Sequence, residues 1–439
     1  MSPRQFLTGG RHPVTRLYPL TVFFAADGVL FASWIVRIPE IKNQVGASAT
    51  ALGLALLCMT VSSAASMYFA GGLCERLGTR TVLVASFPLV CAGLVTPALA
   101  RSVVALGAIL FVFGAIYGVL LVALNSAAVE IESTSGRAIM SPMHGLWSVG
   151  GLVGAVIGGL LAAHLTAVEH FAVVAVAGVV VAVGFARPML RTGTDQPVRT
   201  DGTAGPATAA RGQEQKQEQE QEQKQKQEQE TVRRTARRPI SLAVVLLGVV
   251  ALCTAYGEGA IGDWVALHLR ENLGAAAGVA AYGFGVYSVA IATGRLTGGR
   301  LIERLGETWV LSGGAVLAAA GVLTTAWAGS LAVAFAGLLA VGLGLANMFP
   351  VAIARAGAIG GPRGVGLAST IGNTGMLAGP PLIGFLADQV GLRTALSTVA
   401  VTALVAAVIG LVQRSLRVRT EGAADSPVGT VAAEPAHRV

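Results

Sequence analysis

Twelve continuous runs of apolar residues dominate the sequence, and each is about 20 residues long, enough to cross a bilayer as a helix. Continuous rather than alternating apolar character favours helices over barrel strands, the other structure that satisfies its backbone in lipid. The runs cover residues 17–36, 50–71, 81–100, 103–127, 143–164, 168–187, 241–266, 277–298, 308–328, 331–354, 365–387 and 392–413. We therefore predict an all-α membrane protein with twelve transmembrane helices in two six-helix bundles.

Charged residues are scarce, at 12% of the 439 residues, against about 25% in soluble domains. Of the 54 charged residues, 18 lie in residues 191–239. This distribution excludes a soluble enzyme or a secreted domain. The net charge of +8 is explained by basic residues at the cytoplasmic face rather than by nucleic-acid binding.

Lys and Arg set the expected orientation. With a cytoplasmic N-terminus, 26 of the 31 basic residues fall on the cytoplasmic side. The positive-inside rule therefore predicts a multi-pass protein of the plasma (inner) membrane with both termini in the cytoplasm.

Four regions follow from this pattern. Residues 1–190 should form the N-terminal bundle and residues 240–416 the C-terminal bundle, with a cytoplasmic tail at 417–439. Residues 191–239 form a polar linker whose Gln/Glu/Lys run at 213–230 is too polar to build a core. A coiled-coil contact is the alternative for this run, but it has no apolar heptad.

The two bundles carry related sequences. Glu-Arg-Leu-Gly occurs at Glu75–Gly78 and again at Glu303–Gly306, and Trp34 matches Trp264 at nearly the same offset. A constant offset indicates duplication. Because each half has an even number of spans, the repeat is parallel, which suits two bundles that rock about a central site.

At this point the chain resembles the major facilitator superfamily over nearly all of its length outside the linker and tails. The family pattern G-x-L-x-D-R-x-G-R-R reads here Gly71, Leu73, Glu75, Arg76, Gly78 and Arg80, with Glu for Asp and Thr79 for an Arg. Other stretches resemble a MosC-like bacterial subgroup, distantly related to sugar permeases: Ala32–Lys42, Gly136–Ala155, Glu258–Arg270 and Gly372–Asp388. Leu121 replaces an Asp that the subgroup often carries.

Asp27 lies almost midway between Arg16 and Arg37, which bracket the first span. A carboxylate inside the bilayer is costly and marks function by default. Burial disfavours its charged form, so Asp27 is a candidate for proton coupling. The alternative is a carboxylate held by hydrogen bonds between helices.

Phe31 and Trp34 follow Asp27 on one helix face. An aromatic wall beside a carboxylate suits a sugar or polyol, whereas packing and an interfacial anchor are the alternatives. Glu258 lies at a comparable level in the seventh span among Gly257, Gly259 and Gly262 and is the second candidate for proton coupling.

Within the superfamily, spans one, four, seven and ten line the central cavity. The resemblance therefore implies that Asn125 and Asn347 face Asp27 and Glu258. Interhelical hydrogen bonds are the alternative role for both amides. Three further substrate-binding candidates are His144 and Trp147 in span five and Asn373 in span eleven.

The family motif implies a cytoplasmic gate of ion pairs, with positive-inside charge alone as the alternative. The residues assigned to this gate are Gly71, Glu75, Arg76, Gly78 and Arg80 in the first half and Arg295, Glu303 and Arg304 in the second.

The prediction that follows is a proton-coupled secondary transporter of a small sugar-like or cyclitol-like solute, working by alternating access. A drug or metabolite efflux antiporter is the alternative, because Gly366, Gly375, Gly379 and Pro380 complete a G-x8-G-x3-G-P efflux pattern. A membrane sensor or scaffold is the third reading. No phosphate-binding loop or metal-ligand cluster indicates an enzyme. We expect no cofactor, and a monomer whose partners are solute, protons and lipid.

Overall fold

A computed structural model of the chain describes residues 13–135, 139–191 and 241–424. The predicted linker from residue 192 onward and the tail beyond residue 424 lie outside these ranges. The described residues are helical apart from short connections and contain no strand. The helices are α1 (Pro13–Gln44), α2 (Ala49–Leu77), α3 (Thr79–Val95), α4 (Val103–Ser135), α5 (Met140–Ala162), α6 (Ala167–Arg191), α7 (Leu242–Glu271), α8 (Ala277–Leu305), α9 (Glu307–Ala326), α10 (Leu331–Leu345), α11 (Met348–Val390) and α12 (Leu392–Ala424).

The helices confirm the predicted all-α fold. Eleven stretches in the described part of the chain are long and apolar enough to span a membrane. The tenth span consists of α10 and the start of α11, which kinks at Gly361, where φ is 59° and ψ is −152°. The predicted eleventh span, residues 365–387, is the rest of α11; it is helical but is not among the eleven stretches.

The repeated Glu-Arg-Leu-Gly segments adopt the same backbone geometry. Gly78 and Gly306 have φ of 85° and 82°, a left-handed region that residues with a Cβ rarely enter. In both cases the glycine N–H donates to a carbonyl of the preceding helix, and the next helix begins one residue later. The sequence repeat is thus a structural repeat at this turn.

Glycines allow the helices within each half to touch backbone to backbone. A Cβ on Gly114 of α4 would lie 2.2 Å from the carbonyl oxygen of Met59 in α2. A Cβ on Gly150 of α5 would lie 1.9 Å from the carbonyl oxygen of Ala25 in α1. Small residues at such seams are the usual means of close packing in lipid.

Two names describe the ends of the bundle from here on. The inner end holds Gly78 and Gly306, and the outer end holds Gly46 and Gly391. The N-terminal half comprises α1–α6 and the C-terminal half α7–α12. The halves meet where α2 packs on α11, α5 on α8, and α1 on α7 and α8.

We predict that Gly114→Ala destabilises the protein, because the added methyl group collides with backbone that cannot move aside. Overpacking of this kind costs about 2 kcal/mol, so thermal unfolding in detergent should occur at a lower temperature. Gly184→Ala is the matched control, since a Cβ at Gly184 meets nothing within 4 Å. An equal loss of stability in both variants would contradict the close contact between α2 and α4.

Candidate functional site

The two halves touch along their outer parts. A Cβ on Gly53 of α2 would lie 2.4 Å from the carbonyl oxygen of Pro380 in α11. A Cβ on Gly159 of α5 would lie 2.8 Å from the carbonyl oxygen of Gly278 in α8. Further toward the middle, the rings of Phe31 and Phe284 are 6.2 Å apart across the boundary. These contacts close the space between the halves from the outer side.

Asp388, at the end of α11, holds this closure through the backbone of the other half. Its Oδ1 accepts a hydrogen bond from the Ala49 N–H at 3.0 Å, and its Oδ2 accepts one from the Thr50 N–H at 2.8 Å. These N–H groups open α2 and have no partner within that helix. The carboxylate therefore caps a helix of the opposite half.

The capping contact also affects the ionisation of Asp388. Partial burial acts to raise the pKa of this carboxyl, but the hydrogen bonds from the start of α2 outweigh it and lower the pKa to about 2. A lowered pKa means that the stabilisation is present above the usual Asp pKa and is lost as the pH falls toward 2. The contact is thus intact at neutral pH.

A second polar contact joins the halves nearby. Lys42, near the end of α1, donates to Glu271 at the end of α7 over 2.5 Å. Glu271 is 40% exposed, so this pair is a surface salt bridge of small stability, up to about 1 kcal/mol.

At the inner end, the same helix faces are exposed. Gly71 of α2, five turns inward of Gly53 on the same face, and Gly299 of α8 are both exposed. A Cβ on Gly71 of α2, or on Gly299 of α8, would meet nothing within 4 Å. The halves therefore enclose a cleft that is closed at the outer end and open toward the inner end.

Asp27 lies in the N-terminal half beside the closed end of this cleft. Its side chain is 1% exposed. Trp147 of α5 donates its indole N–H to Oδ2 over 2.9 Å, and the Tyr117 hydroxyl of α4 lies 3.5 Å from the same oxygen. Oδ1 has no hydrogen-bond partner among the described residues. Three helices thus converge on one carboxyl group, half of which is unsatisfied.

Trp147 is only half-buried and separates Asp27 from the cleft. Its ring lies 5.3 Å from that of Phe31, which in turn reaches Phe284 of the other half. Phe31 is therefore at the boundary between the halves. Trp34 does not lie at this boundary. It is 3% exposed, packs near Phe171 of α6, and lines a small apolar cavity inside the N-terminal half.

Glu258 and Arg295 form an ion pair in the C-terminal half. Arg295 of α8 donates from Nη2 to Oε1 of Glu258 in α7 over 3.0 Å. The sequence assigned Arg295 to a cytoplasmic gate, but the structure places it beside the other proton-coupling candidate. The side chains are 24% and 33% exposed for Glu258 and Arg295, so both reach open space.

The two asparagines do not meet at the centre. Asn347 lies between α10 and α11 and donates to the carbonyl oxygen of Gly294 in α8 over 2.9 Å, so it turns toward α8. Asn125 donates to the carbonyl oxygen of Leu121 in its own helix over 2.8 Å and is half-buried. Asn347 thus makes the interhelical hydrogen bond that the sequence left as the alternative.

His144 and Asn373 are both exposed. His144 lies two turns inward of Gly151, and Asn373 two turns inward of Pro380, which places each on a face that contacts the opposite half further out. The ring of His144 is 5.9 Å from that of Phe24. Both side chains therefore line the open part of the space between the halves.

The loop motif makes two described contacts with Glu130, near the end of α4. Arg80 lies 4.0 Å from Glu130, and the Thr79 hydroxyl donates to the same carboxylate. These contacts stay within the N-terminal half. The remaining gate candidates, Glu75, Arg76, Glu303 and Arg304, are exposed at the inner end beside the turns at Gly78 and Gly306.

Two residues of the site are not predicted from the sequence: Tyr117 and Asp388. Tyr117 lies two turns before Asn125 on α4, a spacing that could have indicated a shared face. Nothing in the local sequence of Asp388 indicates that its partner is the backbone of α2, which is about 340 residues away along the chain.

The fold and the cleft define a polytopic helical membrane protein built from two related six-helix halves. Its sequence matches the profile of the Major Facilitator Superfamily over residues 20–256 and 247–433. The chain therefore belongs to this superfamily of membrane transporters.

Relatives and solved structures agree. An uncharacterized MFS-type transporter of Yersinia pestis is 31% identical, over 88% of this chain and 92% of its own length. The membrane protein MosC of Rhizobium meliloti is 26% identical, over 87% of this chain and 86% of its own length. This match confirms the MosC-like resemblance. A bacterial homolog of the human lysosomal transporter Spinster, solved inward-facing and unoccupied, has a TM-score of 0.71 at 14% identity and covers 94% of this chain and 99% of its own.

We predict that Asp388→Asn opens the outer end more often. The variant keeps one acceptor oxygen but loses the second one and the negative charge at the start of α2, together worth up to about 1 kcal/mol, so the outer-open population should rise by up to about fivefold. The measurement is the rate at which an impermeant maleimide, applied from outside, labels a cysteine introduced at Ile35 in a background without native cysteines.

Glu271→Gln is the control for this experiment. It removes the exposed pair with Lys42 and should change the labelling rate less than Asp388→Asn does. A larger effect of Glu271→Gln would show that the salt bridge, and not the helix cap, holds the outer end closed.

Proposed function

We propose that the protein is a secondary active transporter that moves a small, sugar-like or cyclitol-like solute by alternating access, coupled to protons. The membership in a transporter superfamily supports transport itself. The closed outer contacts and the open inner cleft support alternating access, because one end of a shared space is sealed while the other is accessible.

The proposed orientation follows from the basic residues. If the inner end faces the cytoplasm of a bacterial inner membrane, both termini are cytoplasmic and the conformation is inward-facing. The inner-end motifs around Gly78 and Gly306 would then lie where the superfamily places its gate. Within the described part of the chain, the polar contacts of the first motif stay in its own half, so it does not hold an outer-open state in this conformation.

Asp27 is the observation that carries proton coupling. A buried carboxyl group without a cationic partner favours its neutral form. Trp147 lies between Asp27 and the cleft and also contacts Phe31 at the boundary between the halves. A movement of the halves that displaced Trp147 would remove a hydrogen bond and admit water, which favours the charged form. Proton release would thereby be linked to the change of conformation.

A ligand screen identifies the solute for transport assays. Purified protein is tested for thermal stabilisation by sugars, polyols and antibiotics, since a ligand that binds only the folded state raises its unfolding temperature. Stabilisation by antibiotics and not by sugars or polyols would contradict the proposed solute class.

We predict that Asp27→Asn abolishes accumulation of the identified solute in proteoliposomes under an inward proton gradient. Exchange of internal for external solute should persist, because the cleft and its contacts remain. Asp27→Glu is the control that keeps an acid at this position and should retain part of the accumulation. Full gradient-driven accumulation by Asp27→Asn would refute the coupling role.

The second candidate function is efflux, and the contact between α2 and α11 favours it. The complete glycine–proline pattern in α11 includes Gly375, which packs against the carbonyl oxygen of Leu252, and Pro380, which packs against Gly53 of the other half. The pattern thus lies at a seam that must move. Substrate accumulation in inverted vesicles, but not in right-side-out vesicles, would favour an exporter.

A deletion in the linker distinguishes a transporter from a sensor or scaffold that acts through the linker. Removal of residues 213–230 should leave transport intact in either kind of carrier.

A further inference from the structure

The ion pair of Glu258 and Arg295 faces the cleft, as the helix faces show. Phe284 and Ser288 of α8 lie against Gly151 of α5, and Arg295 is two turns inward of Ser288 on the same face. Gly262 of α7 lies against Ile35 of α1, and Glu258 is one turn inward of Gly262. Both charged side chains therefore lie where the halves begin to separate.

The pair keeps much of its hydrogen-bonding capacity. One contact joins the two side chains, and neither makes another hydrogen bond among the residues that the structure describes. A guanidinium has five N–H donors, and a carboxylate has two acceptor oxygens. The remaining donors and one acceptor oxygen are free to bind a solute.

Tyr287 supplies a second indication of a ligand. Its side chain is 5% exposed, and its hydroxyl has no hydrogen-bond partner within the described part of the chain. Its ring lies 6.2 Å from that of Phe284, which in turn lies 6.2 Å from Phe31 of the opposite half, so Tyr287 lies near the boundary between the halves. A buried hydroxyl without a partner is costly, and a bound solute with hydroxyl groups would satisfy it.

The positive charge of Arg295 and the negative charge of Glu258 cancel at this part of the cleft. Asp27 lies behind Trp147, and Asp263 lies about 140° around α7 from Glu258. His144 is the titratable side chain of the opposite half on the facing surface of α5. An anionic solute that bound Arg295 would leave Glu258 beside a like charge, and a cationic solute at Glu258 would do the same to Arg295. Such juxtapositions are strongly unfavourable in a partly desolvated site.

We infer that Glu258, Arg295 and Tyr287 form the solute subsite of the C-terminal half and that the ion pair selects uncharged polyhydroxylated solutes over their acidic and amino derivatives. This rests on the proposed transport of a small polar solute and assigns its charge selectivity to one salt bridge. Hydroxyl groups suit the site because each can accept from the guanidinium or donate to the carboxylate. Phe284, whose ring lies 6.2 Å from that of Phe31 across the boundary, bounds the subsite on its outer side.

The test uses matched probes on the full-length purified protein. Neutral hexoses, pentoses and inositols are each paired with the corresponding uronic acid and amino sugar, and dissociation constants are taken from concentration-dependent thermal stabilisation. For wild type, the neutral member of a pair should bind at least about tenfold more tightly than either charged member.

Removal of one charge should invert the preference. Glu258→Gln leaves Arg295 unpaired and should favour the uronic acid, whereas Arg295→Gln leaves Glu258 unpaired and should favour the amino sugar. The double variant is neutral again and should return to the neutral probe. Glu307→Gln, which removes an ion pair with Arg355 outside the cleft, is the control and should leave the preference unchanged.

Several outcomes would overturn the inference. They are tighter binding of a charged probe by wild type, an unchanged preference in both single variants, or stabilisation by none of the probes. Because wild type is informative by itself, a variant that fails to fold does not remove the test. If solute accumulation under a proton gradient persists while the preference is unchanged, the subsite assignment fails and the proposed transport stands.

Discussion

Lipid offers no hydrogen-bond partner, and this constraint governs where the chain places its polar groups. Backbone groups are satisfied inside helices. Polar side chains deep in the bundle turn to other helices: Asn347 donates to the backbone of α8, and His268 lies 3.0 Å from the carbonyl oxygen of Thr325. Among the described residues, the buried polar atoms without a hydrogen-bond partner include Nε1 of Trp264 and Nε2 of His170 as well as an oxygen of Asp27 and the hydroxyl of Tyr287. The proposed transport uses the last two, the first for a proton and the second for a solute.

The strength of the contacts differs within and between the halves. Inside a half, glycines bring backbones together over several turns, as at Gly114 and Gly150, and these seams hold each half as a unit. Between the halves, close backbone contacts occur near the outer end, as where Gly53 meets Pro380. The polar contacts described there are the helix cap at Asp388, the Thr50 hydroxyl donating to the Gly384 carbonyl, and the exposed salt bridge at Lys42. Each polar contact is worth little individually. Because these contacts are concentrated at the outer end, they can part without unfolding either half, as the proposed alternating access requires.

The sequence predicted the depth of residues in the membrane better than the direction in which they point. The spans, the repeat and the family follow from composition and motif. Asp27 and Trp147 are both predicted site residues, and the structure joins them by a hydrogen bond. Depth follows from counting residues along a helix. Direction depends on how each helix is rotated in its packing, which the local sequence does not determine. For this reason Asn347 donates to the backbone of α8 and does not face the centre. Likewise, Arg295, which was expected at the gate, pairs with Glu258.

The cap at Asp388 has an evolutionary consequence. Its partners are main-chain N–H groups, which nearly every amino acid supplies. The cap itself therefore excludes only proline at positions 49 and 50, where the burial of Ala49 and the hydrogen bond from the Thr50 hydroxyl to Gly384 set other limits, while position 388 stays restricted to side chains that cap helices. Paired substitutions will not mark this contact, and methods that infer proximity from correlated change will overlook the bond that closes the outer end.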